Sequence, residues 1–133
     1  MSESITRLVK ERVWAVVGVS NHHDKFGRQI FEQLRSRGYE VFAITARGEA
    51  LDDGTPTYAN VQDLPVVPAV VDVVVPPAKG KGIVEDCHTK GVRNIWFQPG
   101  AESEEAVELG KALGLTVISG GACAMVETSQ QTW

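Results

Sequence analysis

The run Val13-Trp14-Ala15-Val16-Val17, followed by Gly18-Val19-Ser20-Asn21-His22-His23-Asp24-Lys25-Phe26-Gly27, constrains the fold more than any other part of the chain. An apolar run without polar alternation belongs to a strand covered on both faces, as in a parallel sheet. Gly18 permits a sharp turn and a close approach of ligand to backbone. A helix is expected from about Gly27, with Ile30, Phe31 and Leu34 on its inner face. Free N–H groups and the dipole at its start favour a phosphate. Strand, glycine-bearing loop and helix form the first half of a nucleotide-binding βαβ unit. The dinucleotide fingerprint G-x-G-x-x-G is incomplete, because Val19 and Ser20 follow Gly18. Lys25, late in the lengthened loop, supplies a point charge for a pyrophosphate. The same residues also fit a plain strand-to-helix connection with a solvated lysine.

The remaining chain repeats the alternation of strand and helix. Residues Ser2 to Glu11 read as a short helix or lead-in. Gly38 is placed to end the helix that begins near Gly27, and Tyr39 to Ile44 reads as the second strand. Asp52 to Pro56 is a turn, Thr57-Tyr58 a short edge strand, and Asn60 to Asp63 a single helical turn stopped by Pro65. Ala69 to Val75 is a central strand, and Pro76-Pro77 opens a helix that buries Ile83, Val84 and Cys87 and ends at Gly91. Asn94 to Gln98 is the next strand. Ser103 caps a helix with Glu104 and Glu105 in its first turn and Val107 and Leu113 facing inward. Leu115 to Ser119 is the last strand, and the chain then runs into a polar tail. The expected fold is a three-layer, Rossmann-like, doubly wound parallel sheet of about five to six strands with helices on both faces. Residues 1–133 are expected to form one domain.

Composition excludes several classes of function. A net charge of -4 without a dense Lys/Arg cluster argues against a nucleic-acid surface. No apolar run approaches the ~20 residues of a membrane span, and the polar start is unlike a secretory signal. Cys87 and Cys123 form neither a disulfide framework nor a CxxC pair, so a cytoplasmic protein with reduced thiols is expected. His22, His23 and His88 lack metal-ligand spacing.

In an open parallel sheet, ligands bind beyond the carboxyl ends of the strands. Five segments lie there: Gly18 to Lys25, Thr45 to Arg47, Val75 to Pro77, Gln98 to Gly100, and Ser119 to Cys123. They are expected to converge on one cleft. The second strand ends without the acid that would bond a ribose 2′-hydroxyl. Arg47 stands there instead, which suits a phosphorylated ribose such as that of NADP or coenzyme A (CoA). Cys123 lies near the expected cleft without an evident partner base, and reads as a small buried residue.

The segments VWAVVGVS, GYEVFAITAR, VDVVVPP, VRNIWFQPGAES and GLTVISGGACAMVE, in this order from about Arg12 to Glu127, resemble the small single-domain CoA-binding proteins. These are similar to the CoA-binding domain of the succinyl-CoA synthetase α subunit. The resemblance implies that CoA is held through the first-strand loop, at Gly18, Val19, Ser20, Lys25, Phe26 and Gly27. It matches Arg47 after the second strand and Gln98 and Gly100 after the fourth, and Thr45, Val75 and Pro76 join the expected site through their place at the strand ends. Cys123 matches the family's terminal cysteine. The chain departs from the family at Thr45-Ala46, where Asn-Pro is usual, and at Val74-Val75, where an aromatic residue and an arginine are common. The synthetases' phosphorylated histidine lies in another domain, so the resemblance implies no ligase reaction. The expected function is binding of CoA or acyl-CoA without catalysis, with further copies of the chain as partners in any homo-oligomer. The alternatives are an NADP-binding oxidoreductase-like domain and an interaction protein with a vestigial nucleotide site.

Overall fold

The computed structural model describes residues 2–133. Five parallel strands form one sheet: β1 (Val13–Val17), β2 (Glu40–Ile44), β3 (Val70–Val73), β4 (Asn94–Phe97) and β5 (Thr116–Ile118), in the order β2-β1-β3-β4-β5. Thr57-Tyr58 contributes a single parallel bridge, Tyr58 to Ile44, on the outer edge of β2 rather than a strand. With that bridge counted as a strand, the order is that of a six-stranded Rossmann sheet whose third strand has shrunk to one residue. Helices α1 (Ser2–Val9), α2 (Phe26–Ser36) and α5 (Ala124–Glu127) cover one face, and α3 (Gly80–Lys90) and α4 (Glu104–Ala112) cover the other.

Residue type explains these elements. β1, β3 and β4 are buried along almost their whole length, as their predominantly apolar character requires. Trp14 and Trp96 are fully buried side by side, ring centroids 5.7 Å apart. Each indole N–H finds a carbonyl, Glu11 O at 2.8 Å and Ala122 O at 3.0 Å, which removes the cost of burying it. Gly91 adopts a left-handed conformation (φ 98°) that ends α3. Ser103 accepts a hydrogen bond from Ala106 N at 3.1 Å and caps α4. Its buried positions are Ala106 and Gly110, whereas Val107 is only half-buried, so α4 packs through small residues. Pro76-Pro77 opens a 3-10 turn, Pro77–Lys79, before α3 begins at Gly80. The segment after β5, expected as a polar tail, contains α5, a helix too short to carry a periodic signal.

α2 sits unusually close to the sheet. A Cβ on Gly27 would lie 2.0 Å from Gly18 O and 2.7 Å from Gly18 C, so only glycine allows this approach. Gly27 thus does the work of the fingerprint's third glycine, far outside the fingerprint's spacing. Gly27→Ala should lower stability by about 1–3 kcal/mol, because backbone cannot move aside cheaply. Gly82, in α3, faces open space, so Gly82→Ala should raise stability by about 0.4–1 kcal/mol. Denaturant titration of both variants checks this contrast.

Asp72 is the one fully buried carboxyl among the described residues. It stands in β3 between its register partners Val16 and Trp96, and neither oxygen has a hydrogen-bond partner. Burial pushes its carboxyl well above the usual range. The unfolded chain releases this proton near pH 4 while the folded chain retains it, so the group's contribution falls as pH rises above that value. Asp52 and Asp53 act in the opposite sense: hydrogen bonds from His23 and Arg28 hold Asp52 low, and bonds from Thr55 and then Arg35 hold Asp53 low. Their stabilisation is lost as pH falls. The comparison with Asp72→Asn isolates the buried group. The variant should gain melting temperature relative to the parent as pH is raised from 4 to 8, and a constant difference across that range would overturn the assignment.

Candidate functional site

A cleft of about 710 Å³ lies at the carboxyl ends of β1, β3 and β4, where strand order reverses between β1 and β3. Gly18 makes the close approach possible. Its φ of 115° is one that L side chains rarely adopt, and a Cβ there would lie 3.2 Å from both Val74 C and Val75 Cγ1. The cleft is lined by Gly18, Ser20, His22, Lys25, Phe26 and Gly27 from the β1–α2 segment, by Val74, Val75 and Pro76 after β3, and by Gln98, Pro99, Gly100, Ala101 and Cys123. A second hollow, about 550 Å³, lies along α1 among Glu3, Thr6, Arg7, Lys10 and Glu11, a solvated helix surface on which no strand end converges.

The structure brings together most of the residues expected from the sequence. Val19, Thr45 and Arg47 are the ones outside the cleft. The Val19 side chain is buried in the core on the α2 face. Thr45 is buried, and its hydroxyl accepts from Gly48 N at 2.8 Å and lies 3.3 Å from Thr57 Oγ1. Arg47 is exposed on the following turn. Four of the five strand-end segments therefore meet, and the one after β2 turns away.

One end of the cleft is polar. Among the described residues, the backbone amides of Phe26, Gly27 and Arg28 have no acceptor within the protein, α2 has no side-chain cap, and its first turn contains no acid. Such a helix start retains its positive partial charge. Lys25 and His22 are exposed beside it. The rest is apolar: Val74, Val75, Pro76, Pro99 and Ala101 form the walls, and Phe26 projects 63 % exposed at the mouth. This arrangement fits an anionic group joined to a long, weakly polar arm.

Gln98 is held rather than free. Its Oε1 accepts from Ala124 N at 2.8 Å, capping α5, and its Nε2 donates to Cys123 Sγ at 3.2 Å. Cys123 is half-buried on the cleft wall, whereas Cys87 belongs to the core. Burial, and then the charge of Asp86, push the Cys87 thiol up to about 12, which keeps it protonated and inert. No cluster of His, Cys, Asp and Glu able to hold a metal occurs among the described residues.

Arg28 does not line the cleft but anchors the loop that does, and sequence reasoning did not single it out. Its side chain is 2 % exposed. Nε donates to Glu32 at 2.8 Å, Nη1 to Ser20 O at 3.1 Å and Asn21 Oδ1 at 3.3 Å, and Nη2 to Asp52 at 2.8 Å. The β1–α2 loop is thereby fastened to α2 and to the turn at Asp52. The only sequence-level signal was an arginine on the buried side of an amphipathic helix, paired at i,i+4 with Glu32.

Comparison with known proteins gives the family and the fold. Residues 12–129 match the family model described as CoA binding domain. The chain is 26% identical over 125 residues to the α subunit of ADP-forming acetate–CoA ligase II of Pyrococcus furiosus, covering 86% of this chain and 27% of that protein. It thus spans about a quarter of the curated relative's length. A hypothetical protein from Pyrococcus horikoshii superposes with a TM-score of 0.90 at 27% identity, over 98% of this chain and 91% of that one. A conserved hypothetical protein of Pyrococcus furiosus does so with a TM-score of 0.82 at 36% identity, over 88% and 99%. The dinucleotide-forming acetyl-coenzyme A synthetase 1 of Ca. Korarchaeum cryptofilum gives a TM-score of 0.74 at 30% identity, over 86% of this chain and 27% of that one. With the match running through every strand and every wall of the cleft, the chain belongs to the CoA binding domain family.

Proposed function

We propose that the chain binds CoA or an acyl-CoA in this cleft and performs no reaction of its own. The observation that carries the reading is the uncapped, acid-free start of α2 opening onto an apolar trough. The pyrophosphate lies against the amides of Phe26, Gly27 and Arg28, with Lys25 and Ser20 beside it. The pantetheine arm runs between Val74–Pro76 and Gln98–Ala101. Catalysis has little to work with, because the cleft's titratable side chains are His22, Lys25 and Cys123, and the sulfur's hydrogen-bond partner is an amide rather than a base. A nicotinamide dinucleotide is less well served, since its adenosine ribose would be read at the end of β2, outside the cleft.

Native mass spectrometry of the purified protein tests the ligand class directly, with CoA or acyl-CoA expected. Calorimetry with CoA tests the site. Phe26→Glu places an acid in the first turn of α2, where it complements the helix dipole but repels an anion. The variant should keep or raise the melting temperature while losing at least tenfold in CoA affinity. Unchanged affinity in this folded variant would remove the phosphate from α2. Lys25→Ala should weaken binding by roughly two- to fivefold, the scale of an exposed charge pair.

A further inference from the structure

The carboxyl end of β2 is where an open α/β sheet ordinarily reads the ribose of a bound nucleotide. In this chain no residue of that end lines the cleft. Ile44 O already accepts from the amides of both Gly18 and Val19, at 3.0 and 3.1 Å. The Thr45 hydroxyl is bonded within its own turn. Beyond them, the β1–α2 loop is tied to the turn that follows β2. Asn21 Oδ1 accepts from Asp52 N at 2.7 Å, and Asn21 Nδ2 donates to Ala50 O at 3.4 Å. Arg28 bonds both Ser20 O and Asp52, and the His23 ring meets Asp52 Oδ2 at 2.5 Å.

We infer that this Asn21–Arg28–Asp52 latch shuts the ribose end of the ligand out of the usual position beyond β2, so that recognition is confined to the pyrophosphate and pantetheine. The inference rests on the CoA reading of the cleft and makes it more specific. Its consequence is a loss of selectivity. The 3′-phosphate of CoA gains no contact with Arg47, which stands exposed on the turn after β2 and does not line the cleft. The protein accordingly does not distinguish CoA from dephospho-CoA, although the departure from an acid at the end of β2 would by itself predict that it does.

The test is calorimetry with CoA and with dephospho-CoA, on the parent protein, on Arg47→Ala, and on the double variant Asn21→Ala/Asp52→Ala. Asn21 and Asp52 are exposed, and the buried Arg28 keeps Glu32 and Ser20 O as partners when they are cut; circular dichroism verifies the fold. The parent should bind the two ligands within about twofold, and Arg47→Ala should leave both affinities in place. The double variant should develop a preference for CoA of several-fold as the end of β2 opens. A parent preference of about tenfold or more for CoA that vanishes in Arg47→Ala would overturn the latch while upholding the CoA site. Equal affinities in the double variant would overturn the latch as the cause. Failure of either ligand to bind any of the proteins would overturn the CoA reading and the latch with it.

Discussion

The contact between Gly27 and the carbonyl of Gly18 is the constraint on which the cleft depends. It lets the first turn of α2 lie directly against the end of β1, closer than any side chain would permit. The helix amides are thereby delivered to the point where strand order reverses. Spacing the two glycines apart costs the usual fingerprint, but it gives the chain a long loop that brings Ser20, His22 and Lys25 to the same place. A loop of that length would wander, since ordering each residue costs about 1–2 kcal/mol. Arg28 offsets this with four hydrogen bonds from a buried guanidinium, three of which leave the helix.

Charge is arranged by the same logic. α2 has no acid in its first turn, while Glu32 and Arg35 in its later turns pair with one another and, through Arg28 and Asp53, with neighbours on the surface. The carboxylates of Glu32, Asp52 and Asp53 are thus each engaged by an arginine. On the sheet, Asp72 sits one pleat beneath the cleft-lining Val74, the only carboxyl fully inside the core among the described residues. A buried, unpartnered carboxyl opposes stability, and it occurs in a strand whose carboxyl end borders the cleft.

Much of the fold is legible in the sequence because its signals are local. Apolar runs mark β1, β3 and β4, glycines at positive φ mark helix ends at Gly38 and Gly91, and Ser103 caps α4 through its own near neighbour. The cleft follows from the strand ends, and so most of its lining is read from sequence as well. What was not legible depends on contacts between distant residues. Nothing near Arg28 announces Asp52, and nothing near Asn21 announces the Asp52 amide it binds. Arg47 fits a chemical pattern, yet the turn that carries it is pinned by Thr45 and Thr57 in a direction no residue type encodes. α5 is only one turn long and relies on Gln98, from β4's end, as its cap. In Val70–Val73 the β-branched residues announce a central strand, but not that Asp72 faces inward.

The three tryptophans divide the molecule spectroscopically. Trp14 and Trp96 are completely shielded and close enough to exchange excitation energy, and Trp96 lies two residues along β4 from Gln98 at the cleft wall. Trp133 is 48 % exposed, stacks edge-on with Tyr39, and lies under the Arg12 guanidinium at the amino end of the sheet. An aqueous collisional quencher such as iodide therefore reaches one indole of the three. The light that survives quenching comes from the pair beneath the cleft, so the protein carries an intrinsic optical reporter on the sheet face that supports it.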